Sequence, residues 1–207
     1  MAKESFAARW GKAGFEVTGI VFAVLLALWL EGWREDVERQ ERADNHLERI
    51  RAEVRQNHEG LIEAINDNQS YVDGLGAAIT AEDLSLNIIA PYLQISGGST
   101  TNSAWRSAQM TQSIGNMPIQ TVTDLAALYD TQSYYANYLS AFFNQYTDLV
   151  IAAQDDEKKL VAVRTIRQHL MITNSLAQQA IDQYENFLGI QPSGQPDQSE
   201  QPIDGAR

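Results

Sequence analysis

The feature that most constrains this chain is an uncharged apolar run near its N-terminus. Residues 17–30 read Val-Thr-Gly-Ile-Val-Phe-Ala-Val-Leu-Leu-Ala-Leu-Trp-Leu, without Asp, Glu, Lys or Arg. As a helix this run is about 21 Å long, shorter than the roughly 30 Å hydrocarbon core of a bilayer. From Gly11 to Trp33 the only charged residues are Lys12, Glu16 and Glu31, whose polar ends can reach the membrane surface. The flanks thus extend the run to a length that can span a bilayer.

Tryptophans at both ends of the run support a transmembrane helix over residues 15–33. Trp10, Trp29 and Trp33, three of the chain's four tryptophans, bracket the apolar residues. Indole side chains concentrate at the two surfaces of a bilayer, because the ring is apolar and carries one polar group. The main alternative for so apolar a helix is burial in a protein core. Apolar residues on all sides of the helix at the start of a chain favour the membrane.

A cleavable signal peptide is a second alternative for the same segment. Lys3, Arg9 and Lys12 resemble the basic region that precedes the apolar part of such peptides. The run ends, however, in Leu-Trp-Leu-Glu-Gly-Trp-Arg and has no small-x-small cleavage site. We therefore expect the segment to remain in the chain as a membrane anchor.

The charged flanks bear on the orientation of this anchor. Residues 1–14 carry three basic residues and one acidic residue, whereas residues 34–51 carry five arginines among acidic neighbours. Basic residues favour the cytoplasmic side in short segments, but long domains are translocated largely regardless of charge. We expect residues 1–14 to form a short cytoplasmic segment and the C-terminal domain to lie outside the cytoplasm.

Small residues form a stripe along the predicted membrane helix. Gly19, Ala23 and Ala27 recur at intervals of four, so they lie within about 80° of one another around the helix. Glu16 and Glu31 project to the same side, and carboxylates in membrane helices tend to face protein or the membrane surface. Small residues let a second helix approach closely. This stripe is the candidate contact with another membrane helix, in a partner protein or in a second copy.

A charged, helix-favouring segment follows over residues 34–72. It contains no proline, a single glycine and many Glu, Arg, Gln and Ala residues, which are good helix formers. Its apolar residues recur at intervals of three, four and seven and form a narrow seam. The seam indicates a membrane-proximal stalk or a first bundle helix. Its spacing fits a coiled coil with a second helix as well as it fits packing on the chain's own domain. Its members are Leu47, Ile50, Val54, Leu61, Ile65 and Val72, with Asn57 and Asn68 at seam positions.

The rest of the chain predicts a small antiparallel helical bundle, so the expected fold class is all-α. We expect the helical domain to cover residues 73–189 and to begin with a break at Asp73–Gly76, because glycine readily takes the conformation that ends helices. Predicted helices cover residues 103–114, 121–154 and 158–188.

An aromatic stripe and a polar tail complete the pattern. Tyr135, Tyr138, Phe142 and Tyr146 follow one another at the spacing of a helix side that faces a core, although they could also line a ligand site. Residues 190–207 are rich in Gln, Pro, Ser and Gly, and this composition predicts a disordered tail.

The sequence carries no motif for catalysis, metal binding or a cofactor. It has no cysteine, and its three histidines (His46, His58 and His169) lack the spacing that places two metal ligands on one helix side. The net charge of −12 disfavours nucleic acid as a partner. Trp105 next to Arg106 is a candidate partner surface of the kind found at interface centres, or a half-buried tryptophan beside a solvated arginine. We expect a non-enzymatic protein without a cofactor.

The apolar run opened by Glu16, closed by Trp33 and followed by a charged helix resembles the DUF6090-like family of small bacterial single-pass membrane proteins of unknown function. Members typically show a glutamate that opens the span, a Leu-Leu-Ala-Leu-like middle and a tryptophan followed by charged residues. Glu16, Leu25–Leu28, Trp33 and Glu35 match this pattern, whereas Leu30-Glu-Gly replaces a more usual Asn-rich lead into the tryptophan. Further matches extend the resemblance to roughly residues 14–145. It implies a bacterial inner-membrane location and brings no known activity.

Two functions from different classes follow. The first is an accessory or scaffold subunit of a larger membrane complex, which contacts the lipid bilayer and an integral membrane partner or a second copy through its transmembrane helix. The second is a membrane-anchored periplasmic helical module that senses or binds a small ligand among its aromatic residues.

Overall fold

The protein is all-α, as its sequence predicts. The computed structural model describes the backbone of residues 6–190 and the side chains of residues 19–190. Residues 1–5 of the predicted cytoplasmic segment and residues 191–207 of the predicted tail lie outside this part. The described backbone contains α1 (Phe6–Thr80), α2 (Leu86–Ile89), α3 (Ser103–Met110), α4 (Ile119–Ala152), α5 (Lys159–Leu188) and two 3-10 helices, Ala90–Tyr92 and Ser113–Asn116.

From residue 43 onward the described chain forms an up-down-up-down bundle whose second limb consists of short helices and irregular segments. The second half of α1 is the first limb, residues 81–118 return beside it, α4 runs parallel to α1, and α5 returns once more. Hydrogen bonds mark the antiparallel packing of α5 on α1: Arg167 Nε donates to the Val72 carbonyl at 3.0 Å, and Asn174 Nδ2 donates to the Ile65 carbonyl at 3.4 Å.

The parallel direction of α4 and α1, which face each other across the bundle, is marked in the same way. Tyr129 donates to Glu53, and Asn57 donates to Gln132, so residues on α4 lie level with residues about 75 positions earlier on α1. The start of α4 therefore lies level with Ala43, the first buried residue of α1. The buried part of the bundle therefore begins at that level.

The core consists of two clusters stacked along the bundle. The cluster nearer the apolar run includes Ile50, Val54, Leu61, Trp105, Leu125, Leu128, Tyr135 and Tyr184. The cluster at the far end includes Val72, Leu75, Ile89, Phe142, Val163, Ile166 and Leu170. The aromatic stripe of α4 contributes to both, because Tyr135 and Phe142 are each 1% exposed. The prediction that this stripe packs in a core is confirmed for these two residues.

The seam of α1 packs on the chain's own domain. Ile50, Val54, Leu61 and Val72 are buried, and so are the two seam asparagines, Asn57 and Asn68. The choice between an intramolecular seam and a coiled coil, which the spacing leaves open, is thus resolved in favour of the bundle for residues 43–80.

The predicted helix break at Asp73–Gly76 is wrong, because α1 continues to Thr80. A Cβ at Gly74 would overlap the ring of Tyr92, and a Cβ at Gly76 would lie 3.1 Å from Arg167 Nε. Both glycines let neighbouring side chains approach the helix backbone closely. Their role is contact between limbs, and the cost of glycine within a helix, about 1 kcal/mol, is offset by that packing.

Two other predicted helix boundaries need correction. The third helix ends at Met110 rather than at residue 114, because Gln112 takes a left-handed backbone conformation with φ of 56°. The fourth begins at Ile119, directly after Pro118, rather than at Thr121. The last helix, Lys159–Leu188, starts within one residue of its prediction and ends where expected, at Gly189 with φ of 70°.

Candidate functional site

The apolar run forms part of α1 that extends beyond the bundle with its side chains exposed. Ten large apolar side chains between residues 20 and 33 are each 50–67% exposed. At about 100° per residue they point in every direction around the helix. The alternative of a core helix is therefore wrong for residues 20–33. The ten are Ile20, Val21, Phe22, Val24, Leu25, Leu26, Leu28, Trp29, Leu30 and Trp33.

The next question is whether the described part of this segment is long and apolar enough to span a membrane. Among the helices whose side chains are described, none reaches the length and apolar character required of a membrane span. The predicted span of residues 15–33 begins before the first described side chain. Its contact residue Glu16 and its aromatic residue Trp10 lie outside the described side chains.

The small-residue stripe has no partner among the side chains of residues 19–190. A Cβ at Gly19 would meet nothing within 4 Å, and Ala23, Ala27 and Glu31 are exposed. At about 100° per residue, the stripe lies on roughly the opposite side of α1 from the buried seam that begins at Ala43. A second helix could therefore pack along the stripe without meeting the bundle.

A bare helical spacer over residues 34–42 separates the apolar run from the bundle. Its charged residues pair with one another along the helix: Arg34 with Glu38, and Arg39 with Glu35 and Asp36. Hydrogen bonding to Asp36 is the main reason why the pKa of Arg39 is raised. These i,i+3 and i,i+4 pairs support a solvated helix without tertiary contacts.

Within the bundle, two asparagines of α1 hold the irregular second limb by its backbone. Asn57 accepts from the Thr101 amide at 2.9 Å and donates to the Thr101 carbonyl at 2.8 Å. Asn68 makes the same pair of bonds with Ser96, both at 2.8 Å. The two asparagines are eleven residues apart, which is about three helical turns, so they lie on the same side of α1. We call residues 96–102 the strap.

Glu53 anchors the other end of the strap, where α3 begins. Its carboxylate accepts from the Tyr129 hydroxyl at 2.6 Å, the Ser103 hydroxyl at 2.8 Å, the Ala104 amide at 2.9 Å and the Thr101 hydroxyl at 3.2 Å. Burial by itself raises the pKa of Glu53, but these four donors together outweigh it and lower the pKa. The carboxylate is thus held ionised as an acceptor, and it caps the N-terminus of α3.

The strap lies close enough to α1 to require glycine on both sides. Gly98 has φ of 61°, and a Cβ there would lie 2.8 Å from the Gly60 carbonyl oxygen. From the α4 side, the Tyr135 hydroxyl donates to the Gly97 carbonyl at 2.6 Å. Burial raises the pKa of Tyr135 to about 12. The strap is therefore fixed from two sides, and the polar groups that hold it all serve as structural hydrogen-bond partners.

The candidate partner surface at Trp105 and Arg106 is only partly available. Trp105 is 7% exposed, and its ring stacks on Tyr129 with the ring centroids 5.6 Å apart. It is therefore a core residue, and its assignment to a partner surface is wrong. Arg106 is exposed and lines a shallow depression with Met110.

The histidines have partners that the sequence did not reveal. His169 Nδ1 lies 2.8 Å from the Tyr138 hydroxyl, and its ring stacks on Phe142. Burial lowers the pKa of His169. His58 Nε2 lies 3.3 Å from a Glu185 carboxylate oxygen. Among the described residues no group of His, Asp and Glu side chains has the arrangement of a metal site.

Sequence analysis did not identify Glu53, Gln132 or Tyr184 as parts of a buried polar network. Gln132 accepts from the Tyr184 hydroxyl at 2.7 Å and from Asn57 at 3.1 Å. The available signal was the pair of asparagines within an apolar seam, because a buried amide requires polar partners from another limb. Which limb supplies them is decided by the fold.

Comparison with known proteins gives no relative. No family model matches the chain, and neither a curated protein nor a solved structure shows significant similarity to it. The resemblance to the DUF6090-like family therefore stays a prediction.

Proposed function

We propose that this protein is a non-enzymatic single-pass membrane protein that serves as an accessory or scaffold subunit of a larger membrane complex. The observation that carries the proposal is the apolar run of α1, whose large side chains are exposed around the whole circumference of the helix. In this proposal residues 15–33 span the bilayer, and the residues before Gly19 complete the length of the span.

The cost of exposing the ten apolar side chains to water supports a lipid environment for this part of α1. Burying one Leu-sized side chain is worth about 1.5–3 kcal/mol, so leaving ten of them half-exposed in water forfeits on the order of 10 kcal/mol. A protein groove would cover one side of the helix, whereas the exposed residues occupy every side. A bilayer covers all sides at once. Trp29 and Trp33 would lie at one membrane surface.

A partner helix would pack on the small-residue stripe. Gly19, Ala23 and Ala27 present the only small side chains between residues 19 and 31. Close approach of two helices along such a stripe gains van der Waals contact that bulkier residues prevent. Because the stripe lies opposite the seam, the bundle would remain outside this contact. The bundle itself would lie on the exterior side of a bacterial inner membrane.

The membrane assignment is tested by fractionation of the full-length protein. We expect it to remain in the membrane pellet after carbonate washing, with its N-terminal segment intact. A cysteine introduced at Ile190 should be reactive toward an impermeant thiol reagent from the exterior side. Recovery of the intact chain in the aqueous fraction would overturn the proposal.

The subunit role is tested by a pair of variants on opposite sides of the membrane helix. In mild detergent we expect a stoichiometric integral membrane partner, or a second copy, to co-purify with the wild-type chain. Ala27→Leu should reduce its recovery severalfold, because the larger side chain fills the space of close approach. Val21→Leu, on the opposite side, should leave recovery unchanged. Equal recovery with both variants would remove the stripe as the contact.

The same preparation separates this role from ligand sensing. A monomer that brings no partner and whose melting temperature rises with a metabolite would favour the sensor. The aromatic residues Tyr135 and Phe142, which could line such a site, are instead packed in the two core clusters.

A further inference from the structure

The two ends of the bundle differ in polarity. One end, which we call the lower rim, comprises residues 110–119, the turn that joins α3 to α4. It lies beside α1 just past the spacer: the Thr111 hydroxyl is 3.2 Å from His46 Nε2. The opposite end comprises the turn after α1 and the turn between α4 and α5. The lower rim therefore faces the apolar run, and the other end points away from it.

Charge and exposure follow this division. Residues 107–123 contain no charged residue, whereas the opposite end carries five acidic residues against two lysines, at Glu82, Asp83, Asp155, Asp156, Glu157, Lys158 and Lys159. Among the large hydrophobic side chains of the described part, the two most exposed are Met110 at 81% and Ile119 at 80%, and both belong to the lower rim. Neither contributes to a core cluster. The lower rim is therefore uncharged and carries unpacked apolar side chains.

The distance from the apolar run to the lower rim is short. Ile119 lies level with Ala43 on α1, which is ten residues beyond Trp33. Ten helical residues span about 15 Å, and α4 lies to one side of α1, joined to it by the long side chains of Tyr129 and Glu53. Membrane helices tilt by about 0–40° from the membrane normal, so a tilt of α1 toward the lower rim brings the Ile119 backbone closer to the hydrocarbon than this height. The headgroup layer on each side is about 5–8 Å thick.

We propose that the lower rim is a second lipid contact, at which Met110 and Ile119 enter the headgroup layer of the bilayer that holds α1. This inference rests on the proposed membrane role of the apolar run. Arg106 lies one turn before Met110 and lines the same depression, so the lower rim has a cationic side chain beside its apolar ones. The acidic opposite end would be repelled by an anionic bilayer, so the two contacts fix which end of the bundle faces the membrane.

The absence of cysteine from the chain allows a direct test. We would introduce single cysteines by Met110→Cys or Ile119→Cys, label them with the polarity-sensitive fluorophore NBD, and reconstitute the full chain into vesicles of phosphatidylethanolamine and phosphatidylglycerol. Ile151→Cys and Val161→Cys are matched controls, since these residues are 61% and 68% exposed at the opposite end. Leu28→Cys reports on the apolar run itself.

We expect NBD at residues 110 and 119 to shift to the blue on reconstitution and to be quenched by lipids with a spin label at the headgroup. The same label at residues 151 and 161 should show neither change. Label at residue 28 should be quenched by spin labels on the acyl chains.

If residue 28 is quenched and residues 110 and 119 behave like the controls, the second contact is overturned and the membrane role stands. If residue 28 is not quenched, both proposals fail. A blue shift at the lower rim without lipid quenching would indicate cover by protein and would also overturn the lipid contact.

Discussion

The two halves of α1 share one continuous backbone and differ in their surroundings. Between residues 19 and 42 every large apolar side chain is exposed, and the ion pairs lie along the helix surface. Between residues 43 and 80 the helix buries a seam of apolar residues and two asparagines against three other limbs. The same helical geometry thus serves an unpacked half and a fully packed half.

The comparison shows that helix formation and helix stabilisation have different sources. Good helix formers and short-range ion pairs allow α1 to pass through the spacer without interruption. An isolated helix is nevertheless marginal in water, and most helical stability in proteins comes from packing. The second half obtains that packing from the bundle. The first half has no such packing within the described part of the chain, and the proposed membrane role rests on this difference.

Among the substitutions that test this difference, Glu53→Ala is expected to reduce the stability of the packed half most. The change removes a carboxylate that accepts four hydrogen bonds and leaves the buried Tyr129 hydroxyl without a partner. We expect a loss of about 3 kcal/mol in the free energy of unfolding of the bundle, measured by urea denaturation of the detergent-solubilised chain. Glu48→Ala, at an exposed position of the same helix, should change it by less than about 0.5 kcal/mol. Similar losses for both variants would contradict the anchoring role of Glu53.

The second prediction addresses how closely the strap lies on α1. Gly98→Ala combines a left-handed backbone with a contact of 2.8 Å to the Gly60 carbonyl, whereas Gly189→Ala has the left-handed backbone alone. We expect a destabilisation of about 2 kcal/mol for Gly98→Ala and about 1 kcal/mol for Gly189→Ala. Equal losses would show that the strap yields to the added methyl group, and that its contact with α1 is looser than the structure indicates.

The sequence was sufficient to predict features that depend on periodicity. The all-α class, the seam of α1 and the core side of α4 follow from the spacing of apolar residues, because that spacing decides which side of a helix is buried. The break at Gly74 and Gly76 failed for a related reason. A glycine that ends a helix and a glycine that admits a neighbouring side chain are identical in sequence, and only the position of Tyr92 and Arg167 distinguishes them.

The polar network could not be predicted in the same way, because its partners come from distant parts of the chain. Glu53 and Tyr129 are 76 residues apart, and Asn57 and Gln132 are 75 residues apart. No local pattern encodes such pairs. A tryptophan beside an arginine likewise suggests a surface, but Trp105 is buried because its ring stacks on Tyr129 of α4. Buried polar contacts between limbs are decided by topology.

A smaller effect is expected from the pH dependence of the bundle. Burial lowers the pKa of His169 in the folded protein relative to an unfolded value of about 6.5. The unfolded state therefore binds more protons below that pH, so the stability that His169 contributes is complete above about pH 6.5 and is lost as the pH falls through the folded pKa. The variant His169→Gln keeps an acceptor for Tyr138. Its urea midpoint should fall less between pH 7 and pH 5 than the midpoint of the wild type. Superimposable pH profiles for the wild type and the variant would contradict this role.

The smallest effect is expected from Arg39→Gln in the spacer, and it sharpens the comparison between the two halves. Arg39 pairs with Glu35 and Asp36, but all three side chains are exposed, so water and salt screen their attraction. We expect no measurable change in the urea midpoint of the bundle.

Arg167→Gln is the matched control in the packed region, because its guanidinium donates to the Val72 carbonyl and packs on Gly76. It should lose about 1 kcal/mol. If Arg39→Gln lowered the midpoint as much as Arg167→Gln, the spacer would be part of the cooperative bundle, and the two halves of α1 would not be independent.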